Sequence, residues 1–166
     1  MVVFELAPEF VIAERVPLGA EDLRYGFEQG FLKPIGVVDL AAVEVRRGAT
    51  DPVLHDLASL LLDEVGGVPE VLGALDDPER IHDPRESVRK WLYLQLKAAH
   101  RDRDRLGDPL GVVESVYADF DYPASVAPFV RYMPVSPGDE AGEPALMQRW
   151  AEFLEREQEA LARRSG

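Results

Sequence analysis

Two aspartate–proline pairs, Asp51-Pro52 and Asp108-Pro109, each open a run of apolar residues spaced three and four apart. An aspartate side chain can accept a hydrogen bond from the free N–H groups of a helix's first turn. A proline at the first helical position sacrifices no hydrogen bond there. After the first pair come Leu54, Leu57, Ala58, Leu61 and Leu62, an apolar stripe at helical period. After the second come Val112, Val113, Val116 and Phe120, with Tyr122-Pro123 as a stop. The same period recurs along the chain. Leu23, Phe27 and Phe31 follow Gly19 and Ala20 and end near Gly30; Pro34 opens a run through Val37, Val38, Ala41, Ala42 and Val45 that Gly48 stops. Gly66-Gly67 breaks the Leu54 stripe, and Val68 to Leu75 reads as a short helix.

The longest helix is expected over 85–105, where Val88, Trp91, Leu92, Leu94, Leu96, Ala98 and Ala99 cover more than half the circumference, as a central helix requires. Its basic last turn (Arg101, Arg103, Arg105) complements the negative end of the helix dipole. A short segment, 124–132, follows the Tyr122-Pro123 stop. Residues 134–144 are rich in Pro, Gly and acid and read as a loop. Residues 145–164 form a last amphipathic helix with Leu146, Trp150, Phe153, Leu154 and Leu161. Residues 8–16 are equally a short helix or an extended segment, and no period-two pattern appears beyond the first dozen residues. The expected class is all-α, a compact domain of about six to eight helices around 85–105. Its parts are a helical core over 1–133, the 134–144 loop, and a C-terminal helix over 145–166 packed on the same domain.

At 166 residues and 46 % hydrophobic, the chain can build one core. It has no cysteine, which removes disulfides, thiolate nucleophiles and cysteine zinc sites. The N-terminus has no basic segment before an apolar one, and no long apolar run occurs, so a cytoplasmic, non-membrane protein is expected. The net charge is −13. Binding nucleic acid or anionic lipid needs clustered Lys and Arg, so neither is an expected partner. A basic protein is favoured, because opposite fields steer encounter; the plain alternative is solubility alone.

The charge is uneven. Residues 51–83 hold 9 acids and 1 base, and residues 108–144 hold 7 acids and 1 base. Between them, residues 84–107 hold 3 acids and 7 bases. That basic helix either neutralises the two acidic stretches or faces solvent.

No pattern of definite chemistry appears. His55, His82 and His100 lack metal-ligand spacing and read as surface histidines. No serine sits in a nucleophile elbow, and no glycine pattern cradles phosphate. No catalytic residue, metal site or cofactor is expected. Two groups of acids stand out as contact residues: Asp76, Asp77, Glu79 and Asp83 in the polar loop, and Asp119 and Asp121 with Tyr122 in Tyr117–Pro123. Aromatics supply anchor area and acids meet Arg or Lys, although the same aromatics could simply pack inward.

Leu23-Arg24-Tyr25-Gly26 with Gly30-Phe31-Leu32, Lys90-Trp91-Leu92-Tyr93, Asp108-Pro109-Leu110 leading into Tyr117–Pro123, and Phe129–Pro134 together resemble a bacterial family known only as domain-of-unknown-function family 2247. The likeness covers roughly residues 10–135. Some members look like immunity partners of polymorphic toxins. The resemblance therefore implies a non-catalytic, immunity-type protein that covers a basic toxin cleft with its carboxylates. The rival readings are a scaffold that self-associates through Leu146, Trp150, Phe153 and Leu154, and a metal-dependent hydrolase using the acid clusters.

Overall fold

The computed structural model describes residues 4–163. Among them are eight α-helices, three short 3-10 segments and no strand. The helices are α1 (Pro8–Glu14), α2 (Ala20–Glu28), α3 (Pro34–Arg46), α4 (Pro52–Ala58), α5 (Val68–Leu72), α6 (Pro84–Arg101), α7 (Pro109–Asp119) and α8 (Glu143–Arg163). The 3-10 segments are Leu62–Gly67, Gly73–Asp76 and Ala127–Phe129.

Proline opens α1, α3, α4, α6 and α7. In three of these an aspartate precedes it and caps the first turn: Asp51 accepts from Val53 N at 3.0 Å, Asp83 from Arg85 N at 3.0 Å, and Asp108 from Gly111 N at 3.1 Å. Asp83-Pro84 is thus a third start signal, hidden in the sequence by the polar residues around it.

α6 is the central helix. It packs against α2, α7 and α8, and Trp91, Tyr93, Leu94 and Leu96 along it are fully buried. Truncating a buried tryptophan of this kind costs about 3–5 kcal/mol. Trp91 Nε1 donates to the Asp22 carbonyl at 2.7 Å, so α2 and α6 cross closely. At that crossing a methyl group on Gly26 would overlap the Trp91 ring. Phe31 lies 5.6 Å from Trp91 and stacks on Phe120 at 5.9 Å, which brings the ends of α2 and α7 to one cluster. The Tyr93 hydroxyl donates to Glu14 at 2.6 Å; burial and this carboxylate raise its pKa.

Several boundaries differ from expectation, each for a local reason. Residues 8–14 are helical and bury Val11. Phe31 lies past the end of α2, because Gly30 turns the chain at φ 81°. The Leu54 stripe ends at Ala58. Leu61 is extended, Glu64 accepts its N–H at 3.0 Å, and Leu61 and Leu62 point outward at 64 % and 78 % exposure. Val68 to Leu75 is a helix only to Leu72, and a 3-10 turn completes it. α6 stops at Arg101, where Arg103 Nη1 donates back to the His100 carbonyl at 2.8 Å. α8, at 21 residues, is longer than α6 at 18.

The apolar stripe of α8 lies in the core. Leu146, Trp150, Phe153, Leu154 and Leu161 are buried in the same hydrophobic cluster as α6, and Phe129 meets Phe153 at 5.4 Å. This overturns the idea that the stripe is free to pack on a second copy.

Candidate protein-binding site

The lone base of each acidic stretch is a hub. In the first stretch Arg80 reaches out of the polar loop between two helices. Its Nε donates to Glu21 of α2 at 2.8 Å, and its Nη2 donates to Asp51, the cap of α4, at 2.6 Å. The guanidinium holds the Asp51 carboxyl below the usual range, and the two carboxylates raise the Arg80 pKa in turn. In the second stretch Arg131 binds Glu114 at 2.6 Å and Asp108 at 2.9 Å, with Glu143 at 3.6 Å. It ties α7 to the start of α8.

The basic segment around α6 does not neutralise these stretches. Lys90 meets Asp22, Arg89 meets Glu157, and Arg101 and Arg105 share Asp102. Among the described residues its one ion pair with the acidic stretches is Arg85 to Asp83 at 3.1 Å.

The acids expected to meet a partner therefore separate into two kinds. Asp76 pairs with Arg24 at 2.8 Å. Asp77 accepts the backbone N–H of Glu79 at 2.9 Å and closes its own turn. Asp83 caps α6 and binds Arg85, which lowers its pKa. Three of the four loop acids thus have structural work, and the exposed carboxylate of Glu79 has neither an ion pair nor a capping bond among the described residues. Asp119 and Asp121 are exposed and no ion pair reaches either among the described residues.

The turn that carries Asp121 is unusual. The Tyr122 N–H donates to the Tyr117 carbonyl at 2.8 Å and the Asp121 N–H to the Ala118 carbonyl at 3.1 Å. This is the pattern that closes a helix on a left-handed residue, usually glycine. Here Asp121 takes φ 61° and Tyr122 takes φ 56°. Left-handed backbone costs a residue with a side chain about 1–2 kcal/mol. Pro123 follows immediately, which further narrows what Tyr122 can adopt. The strained turn stands Tyr122 edge-on to Tyr117 at 5.3 Å and 83°. Tyr132 flanks Tyr117 at 6.2 Å, and Tyr122 and Tyr132 are each 59 % exposed. The aromatics of Tyr117–Pro123 thus divide. Tyr117 and Phe120 face inward, while Tyr122 faces out beside Tyr132, which only the fold places there.

A second polar cluster lies under α2. Asp22, 2 % exposed, accepts from Gly19 N, Ser87 Oγ and Lys90 Nζ at 2.8, 2.6 and 2.8 Å. His82 Nε2 lies 2.9 Å from Ser87 Oγ, beside a cavity of about 150 Å³ also lined by Arg24, Tyr25 and Glu28. The serine has one proton and the carboxylate has none to give, so Ser87 donates to Asp22 and His82 donates to Ser87. In this arrangement the imidazole donates, and the chain of bonds pins the loop to α2. No single residue type announced this cluster in the sequence; Gly19 and Asp22 at a spacing of three were its one local sign.

The other histidines are also placed by packing. His55 Nε2 is 2.9 Å from the Ala49 carbonyl. His100 packs edge to face on Trp150 at 5.0 Å, and burial lowers its pKa, with Arg103 and Lys97 adding to the shift. Among the described residues no three His, Asp or Glu side chains converge on a point where a metal could sit.

The model of a bacterial family described as "uncharacterized protein conserved in bacteria (DUF2247)" matches residues 9–158. The chain belongs to this family. The match runs beyond the expected limit near residue 135, through the 134–144 loop and most of α8. For this DUF2247 chain the burial of the α8 stripe gives the physical reason: the last helix is part of the core that the earlier segments build. No curated protein and no solved structure matches the chain. Among the described residues no helix is long and apolar enough to cross a membrane.

Proposed function

We propose that this DUF2247 chain is a non-catalytic, cytoplasmic protein-binding domain of the immunity type, which neutralises a basic toxin domain by covering its cleft. The contact surface is centred on the turn after α7: Asp119, Asp121, Tyr122 and Tyr132. Its carrying observation is that the fold spends about 1–2 kcal/mol per strained residue to hold an exposed tyrosine and two uncompensated carboxylates together. Exposed aromatics beside free acids suit an Arg- or Lys-bearing surface. The wider field supports the same sign of partner. The net charge is −13, and no Lys or Arg occurs between Arg47 and Arg80. Glu79, at the end of that base-free stretch, is exposed and adds to the same field.

The experiment is capture from host lysate with wild-type protein and with the Tyr122→Ala/Tyr132→Ala double variant, at low and then moderate salt. The expected result is one stoichiometric basic protein, released as salt rises and not held by the double variant. Co-expression should also relieve that protein's toxicity. Retention of the same protein by both forms would move the contact elsewhere, and retention of none would remove the reading.

A further inference from the structure

We propose that Tyr122 and Tyr132, braced on the buried Tyr117, form an aromatic seat for one guanidinium group, supplied by an arginine side chain of the partner. This rests on the protein-binding reading above and names the chemistry of its central contact.

Tyr117 is the buried brace under both rings. It is 5 % exposed, and its hydroxyl is turned inward towards Met133 Sδ at 3.9 Å. Tyr122 and Tyr132 each pack against it, at interplanar angles of 83° and 54°, so two exposed rings of different inclination stand on one support. Ring faces are the negative part of the aromatic quadrupole and attract a cation within about 6 Å. A guanidinium suits such walls better than an ammonium, because it is planar and more weakly hydrated and can stack on a ring.

The charge around the seat has the right sign and lacks an internal claimant. Asp119 and Asp121 precede Tyr122 in the chain and carry no counter-charge among the described residues. Arg131 precedes Tyr132, but Asp108, Glu114 and Glu143 hold its guanidinium. Among the described residues the one cation over a ring is Arg101 on Phe10, which lies elsewhere. The Tyr132 hydroxyl has a raised pKa, from loss of solvent and from the neighbouring Tyr117, Tyr122 and Glu114. The ring therefore stays neutral through the physiological range. The double left-handed turn gives the seat its rigidity, since Tyr122 cannot relax into a helical or extended form without breaking the bonds that close α7.

The test is titration of arginine amide into the full chain, followed by the ring resonances of the three tyrosines. Citrulline amide, which has the same shape and α-amine without the side-chain charge, and lysine amide are the controls. Arginine amide should give saturable shifts confined to these rings, with half-saturation on the order of 100 mM for an exposed cation–π contact. Lysine amide should bind about threefold more weakly, and citrulline amide not at all. Tyr122→Leu should weaken arginine amide by about fivefold, with the resonances of buried Trp91 and Trp150 unchanged to show that the fold is intact. No saturation, an equal response to citrulline or lysine amide, or an unchanged affinity in Tyr122→Leu would overturn the proposal. The protein-binding reading has its own fate. Tyrosine-dependent capture of a partner without arginine binding would leave that reading standing and remove only the guanidinium.

Discussion

The two acidic stretches have similar composition and differ in where their one arginine acts. Each has one arginine among its carboxylates, and in each that arginine is a hub. In the first, Arg80 sits 24 % exposed between Glu21 and Asp51 at 16 % and 24 %, and it latches the loop that carries Asp76, Asp77 and Asp83 onto α2 and α4. In the second, Arg131 binds the start of α7 and leaves the far end of that helix unneutralised. Net charge per segment therefore does not locate a binding surface. Unpaired carboxylates remain in both stretches; what sets the second apart is that Asp119 and Asp121 adjoin an exposed tyrosine on a left-handed turn.

Arg80→Ala should do most to break this comparison. It leaves two partly buried carboxylates facing one another without a cation and should cost about 2–3 kcal/mol in chemical denaturation. Arg131→Ala removes a more exposed pair set and should cost about 1 kcal/mol, since its carboxylates remain hydrated. If the two losses prove equal, the distinction between latch and surface hub is wrong.

Asp121→Gly acts in the opposite direction. Glycine takes the left-handed cap without strain, so the variant should gain about 0.5–1 kcal/mol while arginine amide or partner binding weakens through the lost charge. A loss of stability would show that the turn is not strained at Asp121. Replacing both free acids, Asp119→Asn with Asp121→Asn, should change stability by less than about 0.5 kcal/mol, and should slow partner association most at low salt.

The latch also has a pH signature. Asp51 has a depressed pKa in the folded chain, so its contribution is complete above the ordinary aspartate value and disappears as pH falls through the folded value. Acid unfolding of the wild type should therefore include a component below about pH 3.9 that Arg80→Ala lacks. His100 supplies a separate step. Its folded pKa is lowered, so the unfolded chain takes up a proton first and stability declines as pH drops below about 6.5. His100→Gln should flatten that decline, read as denaturation midpoints between pH 7 and pH 5.

Much of the fold was legible in the residues. Proline placement, the Asp51 and Asp108 caps and the three-four apolar spacing are local features that act within one or two turns of helix, so sequence alone determined that this is an all-helical chain with α6 at its centre. Local sequence also marked Tyr117–Pro123 as distinctive. It misjudged Leu61 and Leu62, because apolar spacing persists for a turn after the backbone has already left the helix. Only tertiary structure could divide the carboxylates. Arg80 lies 59 residues from Glu21 and 29 from Asp51, and Lys90 and Ser87 lie 68 and 65 residues from Asp22. An ion pair depends on where helices cross, which no window of sequence contains. The same holds for Tyr132, which joins Tyr117 and Tyr122 only because the chain after α7 folds back on that helix.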